Sequence, residues 1–221
     1  MRLLPLLLLS GCIVQGGIIL DDFNRLDGPG LGPNWTAQNG NAQILGNRAR
    51  ALVGGFDLLT YNGVASASAF VDVYVVDTAD TYVALVLGYG GGNNYFIKVQ
   101  NQSADSFFHH YAFYRGNNSE GGGPISTLGS PFSSGRITAS RSGTTASLDI
   151  DSNFDGVSEQ SYSYNYSFSA PGSGIGLGFW GSARADNFGI PGEASVPEPS
   201  SLTLAAGGLA ALLLAWRRLN H

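Results

Sequence analysis

Short stretches in which apolar and polar side chains alternate, each closed off by Gly, Asn, Asp or Pro, recur between residues 17 and 190. A period of two sends successive side chains to opposite faces of a strand, so each stretch can bury one face and wet the other. The pattern is plainest in Ala67, Ala69, Val71, Val73 and Val75, and again in Tyr162, Tyr164 and Tyr166, which alternate with Ser163 and Asn165. Turn sequences separate the runs: Asn62-Gly63, Gly90-Gly91-Gly92-Asn93-Asn94, Arg115-Gly116-Asn117-Asn118 and Arg141-Ser142-Gly143. Their residues tolerate positive φ or hydrogen-bond their own backbone. The spacing predicts an all-β, antiparallel β-sandwich over residues 17–190. Its strands are expected at 17–22, 42–45, 48–52, 66–76, 82–88, 95–100, 107–114, 135–142, 145–150, 160–166, 174–180 and 183–190.

Composition then limits how such a sandwich is held and what it binds. The single cysteine, Cys12, precedes the strands, so the domain has neither a disulfide framework nor a thiolate metal site of its own. Core packing must stabilise it, with calcium as the one conceivable supplement. Charged residues make up 12% of the chain and Lys98 is its sole lysine. Between positions 17 and 198, eight basic residues face sixteen acidic ones, a net charge of −8. That balance argues against nucleic acid as a partner, because phosphate binding needs clustered Lys and Arg.

The two ends carry targeting signals. Residues 1–16 begin Met1-Arg2, continue through an apolar run from Leu3 to Leu9 and reach the small residues Ser10-Gly11 before Cys12. This order is that of a secretory signal peptide, and the run is too short to span a bilayer. Leu9-Ser10-Gly11-Cys12 also resembles a bacterial lipobox, which implies acylation of Cys12; the alternative is ordinary cleavage near Gly16–Gly17. At the other end, a linker over 191–195 leads to Val196-Pro197-Glu198-Pro199, an apolar stretch to Trp216, and Arg217-Arg218. Residues 200–216 would make about 25 Å of helix, near the lower limit for spanning a membrane. Arg217 and Arg218 would stay cytoplasmic, which places the preceding domain outside. The segment 196–221 resembles the PEP-CTERM sorting signal of Gram-negative bacteria. The resemblance implies an exosortase-type membrane protease as partner, transient anchoring in the inner membrane by a C-terminal transmembrane helix, and release to the cell surface or extracellular matrix, where exopolysaccharide is found.

The body carries a second resemblance. Ile19-Leu20-Asp21-Asp22-Phe23-Asn24-Arg25, followed by Leu31-Gly32-Pro33-Asn34-Trp35-Thr36, looks like the opening of concanavalin A-like, laminin-G-like domains. Ala185-Asp186-Asn187-Phe188-Gly189-Ile190 looks like their closing strand. The resemblance implies a jelly roll whose first and last strands are neighbours, and Phe23 and Trp35 are expected in its core.

Few residues carry reactive chemistry. Sugar hydrolysis needs two carboxylates flanking the bond, and laminarinase-type jelly rolls hold theirs in a Glu-x-Asp-x-x-Glu strand. The chain's glutamates are Glu120, Glu159, Glu193 and Glu198, and none forms that pattern. A non-catalytic role is therefore expected, with a divergent glycoside hydrolase as the remote alternative. His109 and His110, adjacent on a strand, point to opposite faces and cannot grip one metal together. The glycine runs 88–92 and 121–123 read as loops. Asp151, Asn153, Asp155, the Val157 carbonyl and Glu159 match the first half of a calcium loop. Position twelve of that loop is Tyr162 rather than glutamate, and a hairpin turn without an ion explains the same residues. Tyr111, Tyr114 and Asn117 suggest an aromatic platform with an amide for carbohydrate. Two roles follow: a structural or interaction protein of the cell surface, and a lectin-like module, calcium-dependent or not, that binds extracellular polysaccharide.

Overall fold

The computed structural model describes residues 17–52, 55–91, 93–125 and 129–192. The signal region with Cys12 and the sorting segment, including Val196 to Pro199, Arg217 and Arg218, lie outside the described residues.

Sixteen strands follow one another: β1 (Ile18–Asp21), β2 (Gly28–Pro29), β3 (Trp35–Asn39), β4 (Ala42–Ile44), β5 (Ala49–Ala51), β6 (Asp57–Ala65), β7 (Ser68–Tyr74) and β8 (Thr81–Tyr89), then β9 (Tyr95–Asn101), β10 (His110–Arg115), β11 (Asn118–Pro124), β12 (Ser134–Ser142), β13 (Thr145–Asp151), β14 (Gln160–Asn165), β15 (Gly174–Trp180) and β16 (Arg184–Ile190). They form two antiparallel sheets. The nine-stranded sheet runs β14-β13-β12-β7-β16-β5-β4-β2, with β1 also on β16, and the seven-stranded sheet runs β11-β10-β9-β8-β15-β6-β3. Ile18 lies opposite Ile190, so the first and last strands are neighbours.

The core fills the space between the sheets with the alternating residues read from the sequence. Ala69, Val71 and Val73 of β7 meet Val83, Leu85 and Leu87 of β8 and Tyr95, Ile97 and Val99 of β9, all fully buried. Tyr162 and Tyr166 are buried as well, and Tyr164 packs against the same cluster. Burying a large apolar side chain contributes about 1.5–3 kcal/mol, which is how a cysteine-free domain holds its sheets together.

One polar group ties the sheets at their open end. Asp21, 8% exposed, accepts from the Phe23 amide at 2.8 Å, from both terminal nitrogens of Arg25 at 2.8 Å each, and from Trp35 Nε1 at 2.7 Å. Asp21 ends β1 in one sheet, while Trp35 begins β3 in the other. The bond to its amide helps hold Phe23 at φ 51°, a backbone region that costs a bulky residue on the order of 1–3 kcal/mol. That turn drops the Phe23 ring into the core, 5.9 Å from Trp35, which packs in turn 5.0 Å from Phe188. The opening and closing motifs thus meet in one aromatic cluster, and Phe23 and Trp35 are core residues.

Three readings of the sequence change. Asn62-Gly63 is not a hairpin turn: it lies inside β6, where the pairing with β15 shifts register between Gly174 and Gly176. Residues 121–123 are not a loop but part of edge strand β11, paired to β10 with a register shift at Phe113/Tyr114. The strand expected from residue 107 begins at His110, because Phe108 makes only an isolated bridge to Phe132.

Replacing Asp21 with alanine leaves the Trp35 indole without its acceptor and Arg25 with only the Leu31 carbonyl, and is expected to cost about 3 kcal/mol of unfolding free energy. Asp22→Ala, which removes an exposed carboxylate bonded to the Asn24 amide at 3.0 Å, is expected to cost under about 1 kcal/mol. Urea unfolding followed by tryptophan fluorescence compares the two, and equal costs would show that the Asp21 clip does not hold the sheets.

Candidate functional site

The inner strands of the seven-stranded sheet are apolar on both faces. Val83, Leu85 and Leu87 point to the core, while Tyr82, Ala84 and Val86 of the same strand point outward. With Leu58 and Phe96 they make a second buried cluster, flanked by Phe56, Tyr89 and Tyr114. Phe96 is its centre: Phe56 lies at 5.4 Å, and Tyr82 and Tyr114 meet it edge-on at 5.8 and 6.2 Å. Gly178 of β15 makes room, since a Cβ there would collide with the Phe96 ring. Among the described residues no second layer covers this face, and its rings pack against one another.

At the end of this face, where the β8–β9 loop approaches the β10–β11 turn, a cleft of about 450 Å³ opens. Six amides line it: Gln38, Asn39, Asn93, Asn94, Asn117 and Asn118. Phe56, Tyr89 and Arg115 supply walls. Tyr89 Oη donates to Gln38 Oε1 at 2.8 Å, and Asn39 Nδ2 donates to the Phe56 carbonyl at 2.9 Å, which sets the orientation of two of the amides. Asn94 is different. It is 1% exposed, and its Nδ2 is a buried donor with no acceptor, a situation that costs about 1–3 kcal/mol in a folded protein. Arg115 is committed elsewhere, its Nε 3.4 Å from Glu120 and its guanidinium 5.1 Å from the Phe168 ring centre. The lining therefore offers neutral donors and acceptors beside aromatic rings, which suits a ligand rich in hydroxyl groups.

Between the cleft residues Phe56 and Leu58 lies Asp57, 3% exposed, whose Oδ1 accepts the Asn41 amide at 3.0 Å while Oδ2 has no partner within hydrogen-bond distance, the Leu52 amide acting on the carboxylate from farther off. Burial raises its pKa above the ordinary carboxylate value, against the backbone bonds that lower it.

The residues singled out in the sequence scatter around this site. Asn117 lines the cleft. Tyr114 stands on the outer face beside Phe96. Tyr111 does not join them: its ring faces inward and stacks on Tyr162 at 3.7 Å and 24°. Three residues apart on a strand, Tyr111 and Tyr114 occupy opposite faces, so the expected platform is divided. His109 Nε2 bonds both oxygens of Asp105 at 2.8 Å, and His110 is half-buried on the neighbouring position.

In the β13–β14 loop, carboxylate oxygens of Asp151, Asp155 and Glu159 come within 4.8 Å of one another. Asn153 serves this cluster through Asp155, donating Nδ2 to Oδ2 at 3.1 Å and accepting the Asp155 amide at 2.9 Å. Asp151 accepts the amides of Asp155 and Gly156 at 3.2 and 2.9 Å, and Glu159 accepts the Ser152 amide at 2.7 Å. Val157 is exposed, and its amide donates to Asp155 at 2.8 Å. Both readings of the loop share this arrangement, in which backbone amides offset the mutual repulsion of the three carboxylates.

Gln38, Phe56, Tyr89 and Asn94 escape a reading of the sequence alone. The one local signal is the asparagine pair closing the glycine run before β9; the rest come together only through strand pairing.

Comparison with known proteins bears on both parts of the chain. Residues 195–218 match the PEP-CTERM protein-sorting motif. The chain thus carries a sorting tail. No curated protein sequence matches the chain. Among solved structures, a Bacillus licheniformis β-glucanase is similar at 10% identity and a TM-score of 0.51, over 78% of this chain and 96% of that one. The carbohydrate-binding module CBM66 from Bacillus subtilis is similar at 12% identity and a TM-score of 0.50, over 72% of this chain and 96% of that one. At such identities the likeness shows the fold alone: the body of this PEP-CTERM-tailed chain is a concanavalin A-like jelly roll.

A buried carboxyl whose folded pKa is raised binds its proton more tightly in the native than in the unfolded state, so its contribution to stability falls as pH rises through that range. Asp57→Asn, which has no such titration, is therefore expected to gain stability relative to the parent between pH 4 and pH 8. Thermal melts of both proteins across that range check it; a stability difference that does not change with pH would mean that Asp57 ionises as readily folded as unfolded.

Proposed function

We propose that this protein is exported, sorted through its PEP-CTERM tail to the surface or matrix of a Gram-negative bacterium, and there binds extracellular polysaccharide without cleaving it. The observation that carries the binding half is the unpaired, buried Nδ2 of Asn94 in a cleft whose other polar groups are almost all amides. The exposed amides of Gln38, Asn39, Asn93, Asn117 and Asn118 meet the sugar hydroxyls, a shift of the Asn94 side chain on binding brings its sealed Nδ2 to an acceptor, and the Phe56 and Tyr89 rings offer apolar surface to the C–H face of a pyranose. The cleft lining contains no carboxylate, whereas hydrolysis of a glycosidic bond uses two. That supports binding over catalysis. The sorting motif supports export, and processing by an exosortase-type protease after transient anchoring in the inner membrane belongs to the same reading. The secretory signal, or acylation at Cys12, starts that route.

Calcium at Asp151, Asn153, Asp155, the Val157 carbonyl and Glu159 is the second reading, favoured by the 4.8 Å clustering of three carboxylates. This loop joins β13 to β14 in the nine-stranded sheet, whereas the cleft lies on the seven-stranded one. Calcium there would act on stability rather than on the sugar.

Binding to a panel of soluble polysaccharides, measured by affinity electrophoresis and calorimetry, tests the function. Tyr89→Ala and Asn117→Ala are each expected to weaken binding by about tenfold, while Thr145→Ala on the other sheet leaves it unchanged; cleft variants that bind like the parent would remove the site. For the loop, calcium is expected to raise the melting temperature of the parent and not of Asp155→Asn. If calcium leaves both unchanged, and Asp155→Asn is as stable as the parent or more so, the loop is a plain turn relieved of one repelling charge.

A further inference from the structure

Lys98 stands in the middle of β9 on the outer face of the seven-stranded sheet, flanked across the strands by Ala84 and Ala112. It is 7% exposed. Its ammonium sits between two rings, 4.5 Å from the centre of Tyr82 and 4.8 Å from that of Tyr114. The attraction of two ring faces offsets part of the desolvation of the charge, but rings accept none of its three N–H donors in the way an oxygen does.

Five of the seven described arginines show what the fold does elsewhere with a half-buried cation, whereas Arg184 leaves its Nε buried and unpaired. Arg25, Arg48, Arg115 and Arg136 each face a carboxylate, Asp21, Asp186, Glu120 and Asp72 respectively. Arg141 gives its terminal nitrogens to the carbonyls of Ala170 and Gly172. Lys98 has neither: among the described residues it forms no ion pair and donates no hydrogen bond. Asp80, two residues before Tyr82, accepts a hydrogen bond from Gln100 Nε2 at 2.9 Å. Yet the Lys98 nitrogen is not among the polar atoms sealed from solvent without a partner. The sole lysine of the chain is thus placed where a buried charge is costly, with its nitrogen open to solvent and no ion pair among the described residues.

We propose that Lys98 reads an anionic substituent on the bound glycan, a uronic acid carboxylate or a sulfate ester, in a subsite continuous with the amide cleft. The inference rests on the glycan-binding function proposed above and names the class of glycan. Continuity comes from Phe96, whose ring lies 5.4 Å from that of Phe56, a wall of the cleft, and 6.2 Å from that of Tyr114, which walls Lys98 on one side. On the other side Tyr82 pairs in register with Trp180, whose ring is 37% exposed and extends the aromatic surface. A compact ammonium held by two aromatic walls meets one oxygen anion at close range, a charge-assisted contact about twice as strong as a neutral hydrogen bond. The amides of the cleft serve the neutral hydroxyls next to it. Because the domain carries an excess of acidic residues, general attraction cannot draw in a polyanion; a preference for one must come from a local site.

The test pairs each charged polymer with its neutral form, using the full mature chain. Polygalacturonate is compared with its carboxyl-reduced product, and dextran sulfate with dextran, by calorimetry on the parent and on Lys98→Met. The parent is expected to bind one charged member at least about tenfold more tightly than its neutral counterpart, and the pair that shows this says whether carboxylate or sulfate is read. Lys98→Met is expected to lose that preference while keeping the affinity for the neutral polymer. A parent that binds neutral and charged forms equally overturns the inference while leaving the glycan-binding function standing. A parent that binds no polymer overturns both. A preference that survives in Lys98→Met also overturns the inference, and should that variant fail to fold, Lys98→Gln takes its place in the same comparison.

Discussion

Strand β1 belongs to the nine-stranded sheet and Trp35 to the seven-stranded one, and the carboxylate of Asp21 holds both. Everything else at that end of the sandwich depends on this clip. It orients the Phe23 ring, supports the Trp35–Phe188 contact and so joins the first strand's motif to the last. A domain without disulfides has only such devices and its packing to keep two sheets in register. The cost of burying a carboxylate is met here by four donors at 2.7–2.8 Å. With the sandwich closed in this way, the outer face of the seven-stranded sheet becomes a rigid surface.

That face is apolar, and no other layer of the described residues covers it. Phe56, Phe96, Tyr82 and Tyr114 shield one another around Gly178, so the surface is built and stable before any ligand arrives. Preorganisation of this kind lowers the ordering cost of binding. The polar groups then stand where the aromatic paving stops: amides in the cleft, Lys98 between two rings. Their spacing follows from strand register, since Phe96 and Lys98 are alternate residues of β9 and share one face.

Much of this fold was legible in the sequence, because period-two alternation dictates strands wherever one face is buried and the other wet. All twelve expected strand regions contain a strand. The four strands that escaped fail that condition. In β6 the Asn62-Gly63 pair mimics a hairpin turn, yet the chain continues through it as an irregularity in the ladder. In β11 three glycines have no side-chain pattern to read, and pairing to β10 alone makes them a strand. β2 and β3 are short and mostly exposed. The site was less legible for the same reason. Asn117 could be seen beside its turn, but Gln38, Phe56, Tyr89 and Asn94 are brought together by non-local pairing that no local pattern announces. Tyr111 and Tyr114 looked alike in sequence and differ only by the face that alternation gives each of them.

The most direct test of the account is a titration of the isotopically labelled protein with the oligosaccharide of its preferred glycan, observed through side-chain amide resonances. The account predicts that the Nδ2 protons of Asn94 shift on saturation, together with those of Asn117 and Gln38, while the Asn153 amide in the β13–β14 loop stays in place. Shifts confined to Asn153, or a bound state in which the Asn94 amide does not move, would contradict it.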